Sequence, residues 1–158
     1  MENKRLAILL IGKQNSGKTT TIHHFDKMYD ERELDKVQCK RGWRHLQIFK
    51  EKLGALFVSM YFVPASPTET NFPLRSRFEF LLPEIIIVAE QKNGSEFHNT
   101  MDFLNENDYK IKIFEIKEGT TETWSRWKED NSNKQDILTK RGVDICNTVR
   151  EFIIKMMS

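Results

Sequence analysis

Two glycines five residues apart, Gly12 and Gly17, are followed at once by Lys18 and Thr19. These are the residues of the chain whose types and spacing can do chemistry. Gly12 is expected to let the chain leave a strand in a conformation that a Cβ would oppose. Gly17 is expected to let the backbone come close to a phosphate. The N–H groups between them can form a concave nest, and the N-terminus of a following helix adds partial positive charge. Such a loop needs a strand before it and a helix after it. Leu6-Ala7-Ile8-Leu9-Leu10-Ile11 is an unbroken apolar run of strand length, the pattern of a strand buried on both sides of a parallel sheet. After the loop, Ile22, Phe25 and Met28 or Tyr29 recur at helical spacing.

The stretch Gly12-Lys13-Gln14-Asn15-Ser16-Gly17-Lys18-Thr19 fits G-x-x-x-x-G-K-[ST]. In this strand–loop–helix context the chain resembles the P-loop NTPases, and the resemblance covers Leu6 to about Tyr29. It implies that Gly12, Lys13, Gln14, Asn15, Ser16, Gly17, Lys18, Thr19 and Thr20 hold a nucleoside triphosphate. It also implies that Lys18 reaches the β- and γ-phosphates and that the Thr19 hydroxyl ligates Mg²⁺.

Such a site needs an acid at the end of a strand beside the loop strand. The family pattern is four apolar residues followed by Asp, and no such Asp occurs here. Glu90, after Ile86-Ile87-Val88-Ala89, is the acid in the equivalent setting. It is expected to hold magnesium through water or to orient an attacking water. Glu115 lies inside a strand and ranks below it. Small P-loop kinases close an arginine-bearing lid over the phosphates, which makes Arg75, Arg77, Arg126 and Arg141 candidates for neutralising developing charge. Arg75 and Arg77 rank first because they follow a Pro-rich loop of functional length.

Asn133-Lys134-Gln135-Asp136 matches the N-K-x-D guanine-reading motif of GTPases. In that family an apolar strand feeds directly into it, whereas here a polar segment far past the preceding strand does. The D-x-x-G switch motif is absent from the chain, so the match reads as a coincidence and ATP is favoured over GTP. Lys13 occupies the place of a second lysine in the deviant P-loop ATPases, but Gln14 and Asn15 stand where those carry glycine. His23, His24, His45 and His98 offer no metal-ligand spacing. Trp124 and Trp127 read as packing residues.

The elements that must position these residues follow in order. Arg44 to Phe49 and Ala55 to Phe62 suggest an antiparallel hairpin around a turn at Lys50–Gly54. Asp30 to Glu33 is expected at or beyond the end of the loop helix, and Val37 to Ile48 reads as half-buried extended chain. Pro64 to Pro73 reads as the longest loop. Leu74 to Leu82 reads as a short helix with Leu74, Phe78 and Leu82 along one side, stopped by Pro83. Glu84 to Glu90 is a second fully apolar strand, and Ser95 is a candidate cap for a helix carrying Phe97, Met101 and Leu104. Tyr109 to Ile116 reads as a strand, and Gly119 to Trp127 as a short helix. Ile145, Val149, Phe152, Ile153 and Met156 form a helical stripe, with Gly142 on it allowing close packing.

This alternation predicts an α/β fold over residues 1–158, one domain, with a three-layer, P-loop NTPase-like architecture and a mostly parallel sheet carrying helices on both faces. With 25 basic and 23 acidic residues the net charge is +2, which gives no nucleic-acid signal. Cys39 and Cys146 read as reduced thiols of a cytoplasmic protein. No leader and no run long enough to cross a bilayer are expected. The function expected is binding of ATP, or GTP, with Mg²⁺ and phosphoryl transfer of the small-kinase or ATPase type to an unidentified acceptor. The alternatives are a GTPase-like switch that meets a protein partner and a nucleotide-binding module without turnover.

Overall fold

The computed structural model describes residues 4–30, 43–50, 54–78, 81–118, 123–126 and 134–157. Its elements are β1 (Arg5–Ile11), α1 (Lys18–Asp30), β2 (Trp43–Lys50), β3 (Gly54–Val63), α2 (Pro67–Thr70), a 3₁₀ turn (Leu74–Arg77), β4 (Ile85–Glu90), α3 (Phe97–Glu106), β5 (Tyr109–Glu115) and α4 (Lys134–Met157). The described strands form one sheet in the order β2-β3-β4-β1-β5. β1, β3, β4 and β5 are mutually parallel, and β2 pairs antiparallel with β3. The fold is therefore α/β. The hairpin lies where the sequence places it, with Trp43 opposite Tyr61 and Lys50 opposite Gly54.

β1 is central, and from Leu6 to Ile11 no side chain is more than 5% exposed. Alternate residues of β1 feed two cores. Leu6, Ile8 and Leu10 pack with Ile22 and Phe25 of α1 and with Ile145, Val149 and Phe152 of α4. Ala7, Leu9 and Ile11 pack with Leu74 and with Phe103 and Leu104 of α3. Helices thus cover both faces, and each fully buried aliphatic side chain contributes about 1.5–3 kcal/mol. Gly142 is buried in α4, the helix that packs on α1.

Four expectations differ. The Pro64–Pro73 segment contains α2, because Ser66 Oγ accepts from Glu69 N–H at 3.1 Å, Pro67 opens the turn and Asn71 closes it at φ 51°. Such a cap satisfies amides that a helix start leaves open. The helix expected over Leu74–Leu82 is a single 3₁₀ turn, after which Phe78 is extended at φ −124°. That conformation delivers the Phe78 ring to Tyr61 at 4.8 Å and to Phe103 at 5.8 Å, so aromatic packing overrides local helix propensity. Ser95 does not cap α3. Glu96 precedes that helix, and its N–H donates instead to Thr68 Oγ1 at 3.2 Å. Residues 123–126 form a turn with a Lys117–Ser125 bridge rather than a helix. The readings at Glu31–Glu33, Val37, Cys39, Gly119, Trp127 and Asn133, and the side chain of His45, lie outside the described residues.

Candidate functional site

Three strand ends meet at the glycine-rich loop. Ile11 is in register with Glu90 on one side and with Glu115 on the other. Gly12 N–H donates to Glu90 O at 3.3 Å, and Ile116 N–H donates to Ile11 O at 2.7 Å. The loop then turns through Asn15 at φ 63° and Gly17 at φ 91°, a sequence of left-handed residues that only glycine and asparagine tolerate well. Among the described glycines the positive φ belongs to Gly17, so the Cβ that the sequence reading bars at Gly12 is opposed by neighbouring atoms rather than by a dihedral angle. What Gly12 provides is space. A Cβ there would stand 2.5 Å from Ser16 Oγ and 3.2 Å from Ile116 Cβ.

Lys18 opens α1 and is 4% exposed. Its Nζ donates to Gly12 O and to Lys13 O, each at 2.8 Å. Burial holds its pKa below the usual 10.5, and the carboxylates of Glu69 and, more weakly, Glu90 act against that shift. Ser16 Oγ is buried and has no hydrogen-bond partner among the described residues. A buried hydroxyl without a partner costs about 1–3 kcal/mol, so this atom marks a place where a ligand would be satisfied. The first amides of α1 lack intrahelical acceptors by geometry. Together they line a concavity of about 310 Å³ formed by Gln14, Asn15, Ser16, Gly17, Lys18, Thr19, Thr20 and Glu69. A helix start, an ammonium and a hydroxyl without a partner form a donor set suited to an anion.

Thr19 is exposed, and its hydroxyl donates to Pro64 O at 2.7 Å. The proton is thereby held on the loop after β3, and the oxygen's lone pairs remain for a cation. Among the described residues no group of three or more His, Cys, Asp or Glu could hold a metal. Magnesium does not need one, because it takes one or two protein oxygens together with phosphate oxygens and water. Thr19, a carboxylate and a bound phosphate fit it.

Glu90 is fully buried. Its Oε1 accepts from Thr68 Oγ1 at 2.7 Å and from Gln91 N–H at 3.0 Å, and its Oε2 accepts from Thr100 Oγ1 at 3.0 Å. Ile86, Val88 and Glu90 share one face of β4 by strand alternation, and α2 and α3 cover that face. Glu90 therefore ties Thr68 of α2 to Thr100 of α3. The concavity's own carboxylate belongs to Glu69, whose Oε1 accepts from Gln91 Nε2 at 3.2 Å. Sequence reasoning missed Glu69, although Ser66-Pro67-Thr68-Glu69 carries the Ser-x-x-Glu signature of a helix start.

The arginines divide. Arg75 pairs with Glu106 at 2.6 Å, at the far end of α3, and Arg77 stacks 4.8 Å from the Phe72 ring centroid. Neither lines the concavity, and the structure does not bring them to the loop. Arg126 borders a neighbouring cavity of about 520 Å³ that shares Gln14 and Ser16 with the concavity, and there it pairs with Glu118 at 3.4 Å. Lys13 also pairs with Glu118, at 3.5 Å, and Glu115 is exposed beside Lys92. Arg141 is fully buried and donates to Thr21 Oγ1, Thr123 O and Ser125 O at 3.0, 3.0 and 2.7 Å. Burial lowers its pKa to about 10. Thr21 Oγ1 in turn donates to Gly17 O at 2.6 Å, so Arg141 braces the loop from behind. Lys134, Gln135 and Asp136 open α4, with Asp136 exposed, rather than ending a strand. Trp124 stacks on Phe114 at 4.4 Å and donates to Asp144 Oδ2 at 2.7 Å.

No family model, curated protein or solved structure matches the chain. No helix among the described residues is long and apolar enough to cross a membrane.

Proposed function

We propose that the chain binds a nucleoside triphosphate with Mg²⁺ on Gly12–Thr20 and transfers its terminal phosphoryl group, as a small P-loop kinase or ATPase does. The observation that carries this reading is the buried Lys18 ammonium, held between Gly12 O and Lys13 O at the base of a loop whose Ser16 hydroxyl lacks a partner among the described residues. Lys18 and the loop amides would hold the phosphate oxygens, and Thr19 would contribute its hydroxyl to the metal. Magnesium, when bound, would supply neutralisation of the phosphate charge. Arg141 and Thr21 keep the Gly17 carbonyl in place from the α4 side. ATP is favoured over GTP because Lys134, Gln135 and Asp136 of the N-K-x-D letters fall at the start of a helix. Two cysteines without metal-ligand spacing support a cytosolic setting. A nucleotide-binding module without turnover is the second reading. It is favoured by the engagement of both Glu90 oxygens within the fold.

The test is calorimetric titration with ATP, GTP and their diphosphates, with and without Mg²⁺, on the parent and on Lys18→Ala. The parent is expected to bind a triphosphate, and Lys18→Ala is expected to stay folded and lose that binding. Unchanged affinity in a folded Lys18→Ala variant would remove the basis of the reading.

A further inference from the structure

The phosphate reading needs an acid for the metal, and Glu90 is committed elsewhere. Among the described residues lining the concavity, the carboxylate is that of Glu69, on α2 beside Gln14–Thr20. We propose that Glu69 is the metal-side acid of this site, acting with the Thr19 hydroxyl on Mg²⁺ and its water, and that Glu90 is a positioning residue that fixes α2. This inference rests on the proposed phosphate site.

The segment after β3 reaches the metal side of the loop through the Thr19–Pro64 hydrogen bond. Five residues after Pro64 the chain presents Glu69, on a turn held at several points. Ser66 Oγ accepts from Glu69 N–H, Thr70 Oγ1 donates to Ser66 O at 3.0 Å, and Thr68 Oγ1 donates to Glu90 while accepting from Glu96 N–H. Gly94 leaves room for Thr68, whose side chain would collide with any Cβ there. A turn so anchored presents Glu69 in one place, as a ligand-holding carboxylate requires. Gln91 Nε2 occupies Oε1, and Oε2 has no partner among the described residues. Glu69 also influences the Lys18 ammonium more strongly than Glu90 does, in keeping with its place in the concavity. One carboxylate, one hydroxyl and phosphate oxygens make a hard oxygen set of the kind magnesium selects.

The experiment measures the affinity of the non-hydrolysable imido analogues of ATP and GTP with and without Mg²⁺, for the parent, Glu69→Gln and Glu90→Gln. Far-UV circular dichroism checks that each is folded. Magnesium is expected to tighten binding by the parent. Glu69→Gln is expected to lose about 10-fold or more of that tightening, the scale seen when a metal's outer partners are removed. Its magnesium-free affinity should equal or exceed the parent's, because a negative charge has left the phosphate site. Glu90→Gln is expected to keep the parent's tightening. Full magnesium tightening in Glu69→Gln, or its loss in Glu90→Gln alone, would overturn the assignment and leave the phosphate site standing. Equal binding by the parent with and without Mg²⁺ would do the same. A parent that binds neither analogue overturns the phosphate reading and this one together.

Discussion

If Glu90 anchors α2 and α3, its removal must cost stability rather than magnesium. Glu90→Ala leaves three donors without their acceptor: the hydroxyls of Thr68 and Thr100 and the amide of Gln91. At about 1 kcal/mol each the loss is about 3 kcal/mol. Release from the desolvation of a fully buried carboxylate offsets part of it, since burying a charge is itself costly. A net loss of about 2–3 kcal/mol is expected. In urea, with a slope of about 2 kcal/mol per molar, the unfolding midpoint falls by about 1–1.5 M. Glu90→Gln is expected to cost only about 1 kcal/mol. Its amide oxygen still accepts one bond, and a threonine hydroxyl can rotate to accept from the new NH₂. Glu69→Ala, at an exposed position, should stay within about 0.5 kcal/mol of the parent. A double-mutant cycle of Glu90→Ala with Thr100→Val should show coupling of about 1 kcal/mol, because the two side chains share one bond. The assay is equilibrium urea denaturation followed by fluorescence. A Glu90→Ala midpoint within about 0.2 M of the parent's, or additive effects in the cycle, would refute the anchor.

The remaining expectations concern the loop and the base. Because burial holds the Lys18 pKa below 10.5 and bound phosphate would raise it, the complex binds more protons than the free protein. Affinity for the triphosphate analogue should therefore be greatest below the lowered Lys18 value and fall as the pH rises through it, beginning below pH 10.5; calorimetry between neutral pH and that limit checks this, and a flat profile would contradict it. Asp136→Asn should leave the ratio of ATP to GTP affinity unchanged, since Asp136 is an exposed residue in the first turn of α4; a selective loss of GTP binding would restore the GTPase reading.

How far the sequence could be read depends on what each residue's neighbours reveal. β1 and β4 were legible because a strand covered on both faces has no polar alternation, and Leu6–Ile11 and Ile85–Ala89 show none. The glycine-rich loop was legible because its spacing fixes its geometry, though the sequence could not show that Gly12 makes room for Ser16. Tyr109, Ile111 and Ile113 alternate as expected, but Ile113 is 45% exposed because β5 is the sheet's edge, and edge position is a property of strand order. The acids and arginines lie where they do for a topological reason. β3 and β4 are parallel, so the chain between them must leave the carboxyl edge of the sheet at Pro64 and return to the amino edge before Ile85. Residues early in that connection stay beside the glycine-rich loop, and residues late in it have moved away. Glu69 is early, whereas Arg75 and Arg77 are late, and Arg75 accordingly meets Glu106 just before β5 begins. Glu90 obeys the same logic across the sheet rather than along it. Two residues after Val88, it inherits Val88's face, where Thr100 of α3 already waits. Both placements follow from strand direction and side-chain parity, once Leu6–Ile11 and Ile85–Glu90 are taken as parallel neighbours.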